Sequence, residues 1–371
     1  KKKLAYIVSQ FMGRDYPFEW LCRSAIARDY DLSFILLNPG PGEFETLLGQ
    51  TGVKIVRFPY AGKKDLPRAI AQLALHLRKT RTDIVHAHLF GACMAGLTAA
   101  RIAGVPRRIY TRHHSTVNHV YFRHAIIYDR IFNFLATDII ATCQNVREVL
   151  MKLEGVPSAK INVVNFGFQL ADFEAVSRER VDGLRTKYEL TEKRPVVGVI
   201  AKYIEWKGIQ YAIAAFHEVL KVHPDACLVL ANAHGAEYAA TIKKLLSRLP
   251  AGSYREIDFE QDFMALYQLF DVFVHTPVDA SAEAFGQIYV EALAASIPSV
   301  FTLSGIAREF VVQDQNALVV GYRDSAATAQ AILKILGDRE LARRLTLAGR
   351  KDVVAKFYYQ QMIDNLGKVY A

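Results

Sequence analysis

At 371 residues, with 51% apolar and 22% charged side chains, the chain exceeds one comfortable core and has the composition of a folded protein of two domains. No apolar run reaches the roughly 20 residues of a bilayer-spanning helix. The net charge of +9 is uneven, 23 Lys and Arg against 12 Asp and Glu in residues 1–170 and 23 against 25 in the rest, so the first half favours an anionic partner.

Short β-branched runs alternate with helix-period stretches along the first half. Strands are expected at 4–8, 32–37, 53–56, 83–87, 107–111, 138–142 and 161–164, with helices near 18–29, 66–79, 90–103, 120–135 and 145–153. Residues 169–195 are polar and charged and read as a linker. The alternation then restarts, with strands at 196–200, 226–231, 254–257, 271–275, 298–302 and 317–320 and helices near 208–222, 236–248, 262–269 and 287–295. Three helical stretches, near 324–336, 338–355 and 358–369, close the chain. The expected fold is α/β: two Rossmann-like domains with parallel sheets, 1–168 and 196–355, facing each other across a cleft. Residues 356–371 are expected to form a C-terminal helix that packs back on the first domain.

The four cysteines (Cys22, Cys93, Cys143, Cys227) are scattered, with no C-x-x-C and no histidine cluster at ligand spacing. They read as small buried hydrophobes in a reducing, cytoplasmic setting, and no metal site is expected. The basic half admits a membrane surface, an acidic acceptor or nucleic acid, but no recognised nucleic-acid module is present.

The densest chemistry lies in EAFGQIYVE, Glu283 to Glu291, where two carboxylates eight positions apart flank an F-G pair. A helix is expected to begin near Gln287, so the backbone N–H groups of Phe285, Gly286 and Gln287 form an anion site that a phosphate can approach closely at glycine. On spacing alone, the two glutamates serve equally well as helix-dipole partners. In GVIAKYIEWKG, Lys202 and Lys207 follow a strand and precede a helix, where cations can neutralise a leaving diphosphate or simply decorate the surface. In TRHHST, His113 and His114 sit at a strand end with rings expected on opposite sides. His86 and His88 close an earlier strand: His86 is expected to pack, and the role of His88 is open. The first loop, Ser9 to Pro17, holds one glycine, Gly13, beside Arg14.

These motifs resemble family 4 retaining glycosyltransferases, enzymes of the two-domain GT-B fold. Glu283 to Glu291 matches the E-x(7)-E motif, and Lys207-Gly208 the end of G-R-x(4)-K-G. Lys202 stands where that family usually has arginine, keeping the charge without the bidentate fork. The family's T-x-H selects His113 by register, with His114 the close alternative. Only Gly13 remains of a glycine-rich first turn, and the loop HTPVDASAE before Glu283 is about two residues longer than the family's pattern.

The resemblance implies a metal-independent, retaining transfer from a nucleoside-diphosphate sugar to a hydroxyl acceptor, with no further cofactor. Lys202, Lys207 and the amides of Phe285, Gly286 and Gln287, with Gly13 from the first loop, would hold the donor phosphates. Glu291 would bind the ribose and Glu283 the sugar hydroxyls, while His113 would contact sugar or phosphate from the opposite wall. Catalysis is thereby expected from His113, Glu283 and Lys207. A basic first domain suggests a lipid-linked or cell-envelope glycan as acceptor, reached from the inner face of the cytoplasmic membrane. A nucleotide-sugar epimerase of the same fold and a non-enzymatic nucleotide- or sugar-binding protein are the other readings.

Overall fold

The computed structural model describes residues 1–11 and 16–371. The chain divides into two units, Lys1–Phe168 with Tyr359–Ala371, and Gln169–Tyr358. Each is an α/β layer structure around one all-parallel sheet.

In the first unit the strands are β1 (Lys3–Ser9), β2 (Asp31–Asn38), β3 (Lys54–Pro59), β4 (Ile84–His88), β5 (Arg107–Arg112), β6 (Asp138–Ala141) and β7 (Ile161–Val163). They lie side by side in the order β3-β2-β1-β4-β5-β6-β7. Helices cover both faces of such a sheet, so its central strands read as continuous apolar runs. Leu4 to Val8 of β1 and Phe34 to Leu37 of β2 are all buried.

The second sheet contains β8 (Val196–Ile200), β9 (Cys227–Ala231), β10 (Tyr254–Ile257), β11 (Val272–His275), β12 (Ser299–Phe301) and β13 (Leu318–Val319), in the order β10-β9-β8-β11-β12-β13. Gly198 in the middle of β8 fits because Phe270 packs flat on the strand. A Cβ at that position would meet the Phe270 ring at 2.3 Å.

Three segments depart from the expected elements. The helix expected at 18–29 is two helices, Tyr16–Cys22 and Ala25–Asp29, because Ser24 caps the second by accepting a hydrogen bond from the Ile26 N–H. The stretch 120–135 likewise breaks into Val117–Val120, a 3₁₀ turn at Arg123–Ala125, and the helix Ile126–Leu135. The expected linker 169–195 carries two helices, Ala171–Glu174 and Arg178–Lys187, and belongs to the second unit. It is tied to that unit at both ends: the Arg180 guanidinium forks onto Asp262 with bonds of 2.8 and 2.6 Å, and Leu190 is fully buried.

The last helix, Tyr359–Tyr370, is part of the first unit. It buries Met362, Ile363, Leu366 and Val369. Its backbone passes so close to Gly167 that a Cβ there would lie 2.7 Å from the Tyr359 Cα. The Tyr370 hydroxyl reaches the core, bonding to the Tyr6 hydroxyl and, at 2.7 Å, to His86 Nδ1. Among the described residues, no helix is long and apolar enough to cross a membrane.

Candidate active site

In the second unit the strand order reverses between β8 and β11, and doubly wound sheets take ligands outside the strand C-termini at such a reversal. From β8 the chain runs through Lys202 to a 3₁₀ turn, Glu205–Lys207, and the helix Ile209–Val222. From β11 it runs through residues 276–286 to the helix Gln287–Ala294. Glycine clamps the two loops together. Gly208, with φ of 72°, lies against the Thr276 carbonyl, whose oxygen would be 1.7 Å from any Cβ.

The second loop is fixed from the other side by the segment after β12. Ser304 Oγ accepts the Glu283 N–H at 2.9 Å, and the Gly305 N–H donates to the Ala280 carbonyl at 3.2 Å. Gly286, with φ of 84°, occupies the N-cap of the helix Gln287–Ala294. A Cβ there would press on the Tyr289 ring at 2.8 Å, so this helix start stays bare.

At this junction Lys207 Nζ donates to Glu283 Oε1 at 2.7 Å. His275 Nε2 reaches the same oxygen at 3.0 Å. Burial opposes the charge on Glu283, which is 6% exposed, but the Lys207 ammonium and His275 outweigh it and hold the carboxyl well below its ordinary range. Burial lowers the pKa of His275, more than Glu283 raises it. The ring is therefore neutral, Nε2–H is the donor to the carboxylate, and Nδ1 is buried with no partner among the described residues.

Glu291 sits one turn into the helix and meets a different environment. The Tyr267 hydroxyl donates to its Oε2 at 2.8 Å, but the surrounding protein pushes the carboxyl up to about 7. One glutamate is a fixed anion. The other titrates near neutrality.

The first unit holds His86, His88, His113 and His114. Arg112, at the end of β5, is fully buried in an ionic network with Asp129 and Glu154, and His114 Nε2 joins it at 3.0 Å from Asp129 Oδ1. His113 is exposed, and its Nε2 stands 3.2 Å from His88 Nδ1. His86 is a packing residue, held at Nδ1 by Tyr370 and at Nε2 by Thr111, 2.8 Å away.

The sequence agrees with this geometry over most of its length. A family model described as Glycosyltransferase Family 4 matches residues 20–171, and one described as Glycosyl transferases group 1 matches residues 181–352. The chain belongs to the family 4 glycosyltransferases. Among curated relatives, the capsular polysaccharide biosynthesis glycosyltransferase CapM of Staphylococcus aureus is 26% identical over 82% of this chain and 80% of its own. A GDP-mannose-dependent alpha-(1-6)-phosphatidylinositol monomannoside mannosyltransferase of Mycobacterium tuberculosis is 25% identical over 88% of this chain and 86% of its own. The fold is that of Anabaena HepE, crystallised with UDP and glucose, at a TM-score of 0.82 and 19% identity over 100% of this chain and 99% of that one.

In this glycosyltransferase the sequence motifs converge only partly. Lys207 and Glu283 meet directly, beside Gly286. Lys202 and Gln287 are exposed near the ends of their elements, and Glu291 is bonded to Tyr267. Phe285 turns its side chain into the core against Phe357, leaving its backbone as the part able to meet a ligand. Gly13 lies outside the described residues. Sequence reasoning missed His275 and Tyr267. His275 ends the β11 run DVFVHTP, and a histidine closing an otherwise apolar strand at a sheet reversal was the available signal.

Proposed function

We propose that this glycosyltransferase moves a sugar from a nucleoside-diphosphate donor to a hydroxyl acceptor with retention of anomeric configuration and without a metal ion. The observation that carries this reading is the Lys207–Glu283 pair at the bare helix start of Gly286. Lys207, Lys202 and the amides around Gly286 and Gln287 supply positive potential where a diphosphate gains charge on leaving. That is the task a metal performs in other transferases. Glu283 accepts hydrogen bonds from donor-sugar hydroxyls, Glu291 from the ribose, and His113 contacts sugar or phosphate. The departing phosphate oxygen takes the acceptor proton as the acceptor attacks on the same face of the sugar.

HepE, whose structures hold UDP, UDP-glucose or glucose, supports the donor class. Relatives named for phosphatidylinositol mannoside, diacylglycerol and capsular polysaccharide products support a lipid-linked or cell-envelope glycan as acceptor, reached at a membrane surface. A panel of labelled nucleotide sugars, scored for nucleoside-diphosphate release with and without glycolipid extracts, tests the assignment. Acceptor-dependent release that survives chelation, with an anomeric proton of unchanged configuration by NMR, is expected. Free sugar released as an epimer without acceptor, or loss of activity on chelation, would contradict it.

A further inference from the structure

A helix that is apolar all round is ordinarily buried. The helix Ile126–Leu135 is not apolar all round, since Asp129 and Asn133 are buried, yet it turns large apolar groups outward. Its inner face buries Phe132 and Leu135, yet Ile127 is 55% and Phe134 69% exposed on the outer face. Ile127, Arg130 and Phe134 follow one another at three- and four-residue spacing, so they form a single outer stripe. Just upstream, Val120 is 57% exposed and Arg123 is exposed. From the neighbouring helix Phe90–Ala103, the Arg101 guanidinium lies over the Phe134 ring at 5.2 Å.

The exposed charge along this stretch is basic. Residues 90–138 contain six arginines and two acidic residues, Asp129 buried against Arg112 and Asp138 paired with Arg107, so Arg101, Arg123 and Arg130 are the arginines beside the stripe. Apolar side chains are thus displayed among arginines with no exposed acid from that stretch to pair with them. We propose that this outer face, Val120 to Phe134 with Arg101, docks on a bilayer surface rich in anionic lipid. The aliphatic and aromatic groups enter the acyl boundary while the arginines meet lipid phosphates. The proposal rests on the lipid-linked acceptor reading for its purpose, and nucleoside-diphosphate release with and without glycolipid extracts tests that reading separately.

Co-sedimentation of the full chain with vesicles of equimolar phosphatidylglycerol and phosphatidylcholine is the test, with phosphatidylcholine vesicles alone as comparison. Binding to the anionic vesicles only, weakened by added salt, is expected. The Ile127→Ser/Phe134→Ser variant should bind at least about tenfold more weakly, and Arg123→Gln/Arg130→Gln should lose roughly fivefold per arginine. Leu347→Ser, an equally exposed leucine of the other unit, should bind as the wild type does. All these positions are at the surface, so circular dichroism and vesicle-free nucleotide release should be unchanged. Absence of wild-type binding, or equal binding by the stripe variants, would overturn the proposal. So would a wild type that self-associates through this face in light scattering and ignores vesicles.

Discussion

Lys207 and Glu283 stand 76 residues apart in sequence and 2.7 Å apart in space, and the contact joins the two loops that flank the sheet reversal of the second unit. Neither partner could be replaced without consequence. Removing the lysine takes the ammonium from a buried carboxylate, and removing the carboxylate leaves the Lys207 ammonium without that counter-charge.

Lys207→Met should weaken binding of a nucleoside diphosphate about 10- to 150-fold, the range for losing a charged hydrogen bond, with little change for the nucleoside. Isothermal titration with the two ligands reads the difference. Equal losses for both would place Lys207 away from the phosphates.

His275 commits its Nε2–H to Glu283 at 3.0 Å. With His275→Leu one of the influences depressing the Glu283 pKa disappears, so the carboxyl titrates higher and the acidic limb of kcat/KM moves up in pH. The sign for stability is the same. A depressed carboxyl contributes stability above its unfolded pKa of about 4.5 that is lost as pH falls through the folded value, and the variant should lose part of it. His275→Gln, which keeps a donor, should restore the wild-type pH profile in part. A pH profile unmoved by His275→Leu would make the residue a packing element only.

Nucleotide binding should release protons. The Glu291 carboxyl is held up to about 7 in the unliganded protein, and ribose hydroxyls donating to it favour the ionised form. Affinity should therefore rise as pH increases through 7, and calorimetry in buffers of different ionisation enthalpy should show proton release greatest near pH 7. Glu291→Gln should abolish it. A buffer-independent binding enthalpy in the wild type would contradict the ribose role.

Gly208→Ala should destabilise the second unit by about 3 kcal/mol or more, because the new Cβ collides with the Thr276 carbonyl oxygen in addition to the strain of a positive φ. Thermal unfolding reads this directly. A cost within about 0.5 kcal/mol, the range of an ordinary surface change, would show that the two loops are not clamped there.

The sheets were legible because buried parallel strands are nearly continuous apolar runs. β1, β2, β8 and β9 each read that way, and their alternation with helices marked the sheets as parallel. Local capping was harder to read: Ser24 splits one helix, and nothing in its apolar periodicity announces the break. The linker misread has a long-range cause, since Arg180 finds Asp262 only once the chain has folded. In the site, the motif residues Lys207, Gly208, Glu283 and Gly286 were all marked by local sequence, whereas the partners that set their electrostatics were not. Strand alternation separated the rings of His113 and His114, but only the fold, through Asp129, commits His114 to a buried network and leaves His113 at the surface.

The most direct test of the Lys207–Glu283 donor site compares wild type with Glu283→Gln in one experiment. Nucleoside-diphosphate affinity is measured by titration, and sugar transfer by nucleoside-diphosphate release from the preferred donor. The variant is expected to fold, to bind the nucleoside diphosphate within about threefold of wild type, and to lose transfer by roughly 100-fold or more. Transfer at the wild-type rate by folded Glu283→Gln would contradict the assignment.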